Sequence, residues 1–228
     1  MKLFTKVIGT SLGMAAALAL SASTSYANLL TDPGFENGAP DQVNPIPIPA
    51  GANGGWAVFN GAAYSIANPE SGSYSLAESE GAGVAWNFEA AYQLVSPAIP
   101  LASYTLTGDF MATTALTGQA KPVYIQLDFL NAAGADIGTV QTSPGNALAV
   151  QYGAPSLNTW YTATVTATAP AGAAYVAPYL AMMDSGAQTS AETIYWDNAN
   201  MTLVPEPSTL ALLGMGLSIP FYFFRRRN

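Results

Sequence analysis

The chain contains no cysteine and no histidine. Without cysteine there is no disulfide framework and no thiolate nucleophile, so stability must come from the core, with bound metal as a second source. Without histidine, Ser-His-Asp and Cys-His catalysis, histidine-ligated zinc and the usual general base near neutral pH are all excluded. Basic residues are almost as scarce. Of the six Lys and Arg, Lys2 and Lys6 open the chain and Arg225, Arg226 and Arg227 close it, which leaves Lys121 alone between them. Against it stand thirteen acidic residues, the fourteen of the chain less Glu206. So acidic a surface cannot neutralise phosphates, which excludes nucleic acid as a partner and disfavours anionic lipid. It suits a soluble extracellular protein in contact with divalent cations.

Long apolar runs are confined to the two ends. Lys2 and Lys6 form a positive stretch, Val7–Leu20 is apolar, and Ser25-Tyr26-Ala27 fits a small-x-small cleavage site. Residues 1–27 therefore read as a signal peptide for signal peptidase, with Asn28 as the mature start; a retained N-terminal anchor is the alternative. At the other end Leu210–Phe224 is uncharged. As a helix it spans roughly 22 Å, short for a bilayer core of about 30 Å. Snorkelling of Arg225, Arg226 and Arg227 and local thinning close the gap, and the positive-inside bias keeps these arginines cytoplasmic. Pro205 and Pro207 hold the approach extended.

The run Val204-Pro205-Glu206-Pro207-Ser208-Thr209, then the short helix, then the Arg cluster, closely resembles the PEP-CTERM sorting domain. The resemblance covers residues 204–228. It implies a Gram-negative, exopolysaccharide-secreting host and recognition of Pro205, Glu206 and Pro207 by exosortase. It further implies transient anchoring in the inner membrane, then release to the cell surface or medium. A plain anchor that nothing cuts is the alternative.

Residues 28–203 are long enough for one domain with a substantial core. Alternating runs bounded by Gly, Pro or Asn recur, and helical periodicity is scarce. In Val123–Phe129 the residues Val123, Ile125, Leu127 and Phe129 oppose Tyr124, Gln126 and Asp128. In Tyr104–Met111 the residues Tyr104, Leu106 and Phe110 oppose Thr105, Thr107 and Asp109. Tyr161–Ala167 and Tyr175–Met183 alternate in the same way, and Val84–Leu94 and Thr193–Leu203 complete the set. The pattern predicts an all-β sandwich. Pro40–Gly55 reads as an extended loop. Several pieces in order are similar to galactose-binding-like jelly rolls, including carbohydrate-binding modules. These are Asn28–Glu36, Ser71–Leu76, Tyr92-Gln93-Leu94, Ala98–Leu106, Thr159-Trp160-Tyr161, Ala169–Ala173 and Ile194–Ala199.

That resemblance implies a structural Ca²⁺ held by Glu36 and Asp197, with backbone oxygens near Ser71–Ser73 completing the six to eight oxygens calcium wants. The other reading gives Glu36 a local capping role and Asp197 a turn. A glycan-binding face is the second candidate. Sugars stack on aromatic rings while polar side chains bond their hydroxyls. If the Tyr104 and Tyr124 strands share a sheet, Thr105, Thr107, Asp109, Tyr124, Gln126 and Asp128 share a face. Tyr179 joins them, and Trp56 and Trp86 sit at its rim. The competing reading is an ordinary Thr/Tyr face with both Trp residues in the core. Third come the carboxyl pairs Glu78/Glu80 and Asp109/Asp128, which a glycosidase would need about 5–9.5 Å apart across a sugar. The whole points to an exported, non-enzymatic surface or matrix protein that associates with extracellular polysaccharide. A purely structural surface protein is the alternative, and a glycoside hydrolase a distant third.

Overall fold

The structure is a computed structural model and describes residues 27–43, 54–81, 88–114, 123–141, 156–183 and 191–204. The run before Ala27 that reads as a signal peptide, Trp86, the sorting motif Pro205, Glu206 and Pro207, the apolar run Leu210–Phe224 and Arg225, Arg226 and Arg227 lie outside the described residues. Asn28–Val204 form one compact unit.

The strands are β1 (Gln42–Val43), β2 (Ala57–Phe59), β3 (Ala62–Ser65), β4 (Ser75–Glu80), β5 (Phe88–Tyr92), β6 (Ser103–Ala112), β7 (Val123–Leu130), β8 (Asp136–Gln141), β9 (Tyr161–Thr168), β10 (Tyr175–Met183) and β11 (Glu192–Val204). They make a jelly-roll β-sandwich. A six-stranded sheet runs β1-β2-β5-β10-β7-β8, and a five-stranded sheet runs β3-β4-β11-β6-β9. Every neighbouring pair is antiparallel except β1 with β2. Part of the stretch read as an extended loop is thus strand, since Gln42 and Val43 pair with Ala57 and Val58.

Alternation decides what each sheet buries. On β6 the residues Tyr104, Leu106 and Phe110 point inward, and on β7 the residues Val123, Ile125, Leu127 and Phe129 do; all are buried in the central core. Trp196 of β11 lies against Phe110, with ring centroids 5.5 Å apart. β-Branched and aromatic residues fit such a half-buried pleated surface, and on β9 four exposed threonines alternate with the buried Ala163, Val165 and Ala167.

The start of the domain is strapped to its end. The Asn28 side-chain oxygen accepts from the N–H of Leu30 (3.1 Å) and of Met201 (3.0 Å), while its amide donates to the Ala199 carbonyl (2.9 Å). The Thr31 backbone and the Gln93 side chain exchange two bonds, at 3.0 and 2.6 Å. Phe35 is fully buried in a left-handed conformation, φ 61°. Its ring packs on Trp56 and Tyr64, centroids 5.3 and 5.4 Å away. Rings of this size bury enough apolar area to offset one strained φ.

β11 contains a bulge. Asp197 pairs with Asp109 and Asn200 with Thr107, so one residue too many lies between the two pairs. Asn198 takes φ 50° there and Ala199 donates to the Pro33 carbonyl at 2.9 Å. A bulge re-aims the neighbouring side chain, and here the one it turns is Asp197.

A candidate glycan-binding face and a carboxylate clasp

The residues of the six-stranded sheet that point away from the core form the candidate site. They come from three adjacent strands: Phe88, Ala90 and Tyr92 on β5, Ala177, Tyr179 and Ala181 on β10, Tyr124, Gln126 and Asp128 on β7. Register brings them together, because Tyr179 pairs with Tyr92 on one side and with Gln126 on the other. Phe59 from β2 completes an aromatic row. Phe59 and Tyr92 stack with centroids 5.1 Å apart and planes 12° apart, and Tyr92 and Tyr179 stack at 5.0 Å and 15°. Alanines at 90, 177 and 181 leave room for rings of that size to stand side by side.

Stacking decides what the row can offer a ligand. Both faces of Tyr92 are taken by its neighbours, so it presents only its edge and hydroxyl. The ring faces at the ends of the row belong to Phe59 and Tyr179. Beside Tyr179, the Gln126 side-chain amide donates to Asp128 Oδ1 at 2.6 Å, a polar group fixed next to a ring. Phe88 lies against Tyr124, centroids 6.2 Å apart. Burial pushes the Tyr92 phenol up to about 12. It also raises Tyr124 and Tyr179 well above the ordinary phenol value, with Asp128 adding to both. All three hydroxyls therefore stay protonated at any physiological pH and can donate hydrogen bonds.

Sequence reasoning placed part of this face and misassigned part. Tyr124, Gln126, Asp128 and Tyr179 share the six-stranded sheet. Asp109, Thr105 and Thr107 do not join them. Their strand, β6, belongs to the five-stranded sheet, and these residues point out of its far side, where Thr105 meets Thr166 at 2.8 Å and Asp109 accepts from Thr162 at 2.6 Å. Trp56 is no rim residue. It is wholly buried, with its indole N–H on the Asp32 carbonyl at 2.9 Å. Phe59, Phe88 and Tyr92 are members that the reading missed. Tyr92 was findable, since it sits one residue before the inward Gln93 and two before Leu94.

The carboxyl pairs separate likewise. Asp109 and Asp128 stand on different sheets. Glu78 and Glu80 both point into the sandwich, where Glu89 and Glu192 are also buried. Glu78 Oε2 accepts from the Trp196 indole N–H at 3.1 Å. Burial holds the Glu78 carboxyl well above the usual range and Glu89 adds to this, against the opposing pull of the Trp196 bond.

Glu36 and Asp197 do come together, around the Glu70–Tyr74 turn. Glu36 receives the N–H of Ser73 (3.0 Å to each oxygen) and of Tyr74 (3.1 Å). Asp197 Oδ2 receives those of Glu70 (2.9 Å) and Ser71 (3.0 Å), and its Oδ1 that of Asn198 (2.7 Å). Gly72 sits between at φ 65°, where a Cβ would collide with Glu36 Oε1. Burial raises the Asp197 carboxyl, opposed by the bonds from Ser71, Asn198 and Glu70, and Glu36 pushes it further up. The oxygens expected to bind calcium thus face amide hydrogens. Among the described residues no group of three or more acidic, His or Cys side chains is spaced for a metal. As arranged, this donor set fits an amide clasp and not a calcium shell. The clasp ties the first segment, the turn and the last strand together, the task the resemblance would give to the ion.

Residues 203–227 match the PEP-CTERM protein-sorting motif. That motif implies processing by exosortase and export to the cell surface in Gram-negative bacteria. No curated protein sequence matches the chain. Among solved structures, the chain is similar to the carbohydrate-binding module TmCBM61 in complex with β-1,4-galactotriose, at 12% identity and a TM-score of 0.45, over 77% of this chain and 97% of that one. It is also similar to a CBM22-1 xylan-binding domain from Paenibacillus barcinonensis, at 15% identity and a TM-score of 0.45, over 79% and 97%. A third likeness is to the enzymatically active domain of tailspike protein 4 of bacteriophage CBA120, at 13% identity and a TM-score of 0.49, over 78% of this chain. The present chain spans only 21% of that tailspike chain.

Proposed function

We propose that the sandwich binds polysaccharide on the outer face of its six-stranded sheet, and that the sorting tail delivers it to the exopolysaccharide outside the cell. The observation that carries this reading is the aromatic row Phe59–Tyr92–Tyr179 ending beside the Gln126–Asp128 pair. A pyranose has apolar C–H faces and polar rims. A ring at an end of the row takes the first, and a fixed amide–carboxylate pair with neutral tyrosine hydroxyls takes the second. The row runs across the strands, so it suits successive units of one chain better than a single sugar. Contacts of this kind are individually weak, and many copies on one polymer multiply them.

The test is affinity electrophoresis of the full chain through gels cast with neutral and acidic polysaccharides. At least one polysaccharide should retard the native protein, and Tyr179→Ala should remove about tenfold or more of that retention. A folded native protein retarded by no polysaccharide would leave the purely structural role, and hydrolysis of the polymer would point to the glycosidase reading.

A further inference from the structure

Asp128 is the only residue of β7 that is not buried. It points out of the six-stranded sheet, so whatever meets this strand from outside meets a carboxylate. Register fixes its surroundings. Asp128 pairs with Ala177 of β10, and Tyr175 and Tyr179 stand two residues to either side of that alanine on the same face. Both rings are half-buried and pack on the small apolar cluster of Leu94, Leu130 and Ala177. Diagonal neighbours in a sheet lie about 7–8 Å apart, within reach of aromatic side chains. The carboxylate therefore faces a gap floored by the Ala177 methyl, with a phenol ring at each end. The Gln126 amide holds its near side at 2.6 Å.

The charge of this gap has one sign. The described residues include no Lys or Arg. Between Asn28 and Leu203, Lys121 stands against thirteen acidic residues, so it can offset one of them at most. Asp136 opens the neighbouring strand β8, and it and Asp128 both push the Tyr179 phenol up. Asp128 does the same to Tyr124. The negative field thus extends along the polar end of the aromatic row, and neutral phenols do not cancel it.

We propose that Asp128 is a charge filter on the glycan face, ranking amine-bearing polysaccharides ahead of neutral ones and neutral ones ahead of uronates. The inference rests on reading this face as a glycan-binding surface, and it names the class of chain bound there: a polymer of amino sugars with free ammonium groups. An ammonium carries three donors and no acceptor. The carboxylate takes one donor in a charge-assisted bond, and tyrosine oxygens accept others. Aromatic rings also attract a cation within about 6 Å of their centroids. A uronate meets the opposite conditions. Its carboxylate is brought against Asp128, and among the described residues no guanidinium or ammonium stands to bridge the two. Specificity comes from such repulsion of the wrong ligand as well as from attraction to the right one. A neutral sugar hydroxyl falls between, donating to Asp128 without the gain of opposite charge.

The test is affinity electrophoresis of the full chain in nonionic detergent, at mildly acid pH, where amines are protonated and carboxylates ionised. Three related β-1,4-linked polymers are compared: glycol chitosan (ammonium), hydroxyethyl cellulose (neutral) and carboxymethyl cellulose (carboxylate). Retention should fall in that order. Asp128→Asn keeps an oxygen for the Gln126 amide and removes only the charge. It should weaken retention by glycol chitosan about fivefold and strengthen retention by carboxymethyl cellulose by a similar factor. Retention by hydroxyethyl cellulose should stay within about twofold, and Asp128→Glu should keep the native order. Asp109→Asn removes the same charge from the outer face of the other sheet. At about 0.15 M salt that charge is screened over about 8 Å, so this variant should behave as the native chain. A shift as large in Asp109→Asn as in Asp128→Asn would overturn the proposal, because net charge alone would then set the order. So would an order that Asp128→Asn leaves intact; if Tyr179→Ala still removed retention in that case, the glycan face would stand without the filter. Retention by none of the three polymers would overturn the filter and the face together.

Discussion

The two outer faces of the sandwich are built by one rule and come out opposite. On each, every second residue points away from the core. On the six-stranded sheet those residues are mostly aromatic or alanine beside the Gln126–Asp128 pair, and Tyr92 and Tyr124 retain only 4% and 9% of their exposure. On the five-stranded sheet Thr and Ser predominate, joined in hydroxyl pairs across strands such as Thr105–Thr166 and Ser103–Thr168. Desolvated rings gain by stacking and keep their phenols neutral. Hydroxyls in water gain little from one another, because each exchanges a bond to solvent for a bond to a neighbour. The difference teaches where specificity can reside. The aromatic face has one arrangement that a ligand must match, whereas the threonine face is regular and chemically repetitive.

The contrast can be broken hardest at its border, the Asp197 clasp. Asp197→Ala should cost about 3 kcal/mol in urea unfolding, because the N–H groups of Glu70, Ser71 and Asn198 lose their acceptor together. Polysaccharide retention should survive wherever the variant remains folded. Melting curves of the native protein with calcium and with EDTA should superimpose; a rise with calcium would restore the metal to this site. Next comes Tyr179→Ala, which truncates the end of the aromatic row. It should destabilise by about 2 kcal/mol and, unlike Asp197→Ala, weaken retention about tenfold or more as well.

The region between the two faces should then reveal itself through pH. The Glu78 carboxyl is raised in the folded state, so the native protein holds a proton that the unfolded chain gives up above about 4.5. Its contribution is complete below that value and is lost as pH rises through the folded value, and Asp197, also raised, acts in the same direction. Melting temperature should therefore fall as pH rises from mildly acid conditions. Glu78→Gln, whose amide oxygen can still accept from Trp196, should flatten the slope. The smallest effect belongs to the hydroxyl face. Thr105→Val should change stability by less than about 0.5 kcal/mol and leave retention untouched.

Much of the fold was legible because period-2 alternation is a local property. The inward and outward sets of β6, β7, β9 and β10 all follow from it. Sheet membership is not local. Thr105, Thr107 and Asp109 alternate just as Tyr124, Gln126 and Asp128 do, and nothing in either run says that one pairs with β11 and the other with β10. The candidate site was half legible for the same reason. Tyr124, Gln126, Asp128 and Tyr179 come from two clear strands that happen to be neighbours, while Phe59 and Tyr92 meet only through the register of β2 and β5. Trp56 misleads because its glycine-rich approach suggests a surface loop, yet a single carbonyl acceptor on Asp32 satisfies its N–H and lets the ring be buried. Glu78 and Glu80 mislead in the opposite sense. Their parity with Leu76 places them inward, and only the habit of assigning charge to the surface hides it.

The position of β11 has a consequence for the timing of export. It is the last strand of the domain in sequence, yet it lies between β4 and β6 in the five-stranded sheet. Its far end also holds Asn28, across 173 residues of chain. Until it arrives, β3–β4 and β6–β9 are separate hairpin-like pieces, each with one apolar side uncovered. Contacts so distant along the chain form late. Any chain that emerges N-terminus first therefore cannot complete the five-stranded sheet before β11 has emerged. Closure of that sheet follows as one late event.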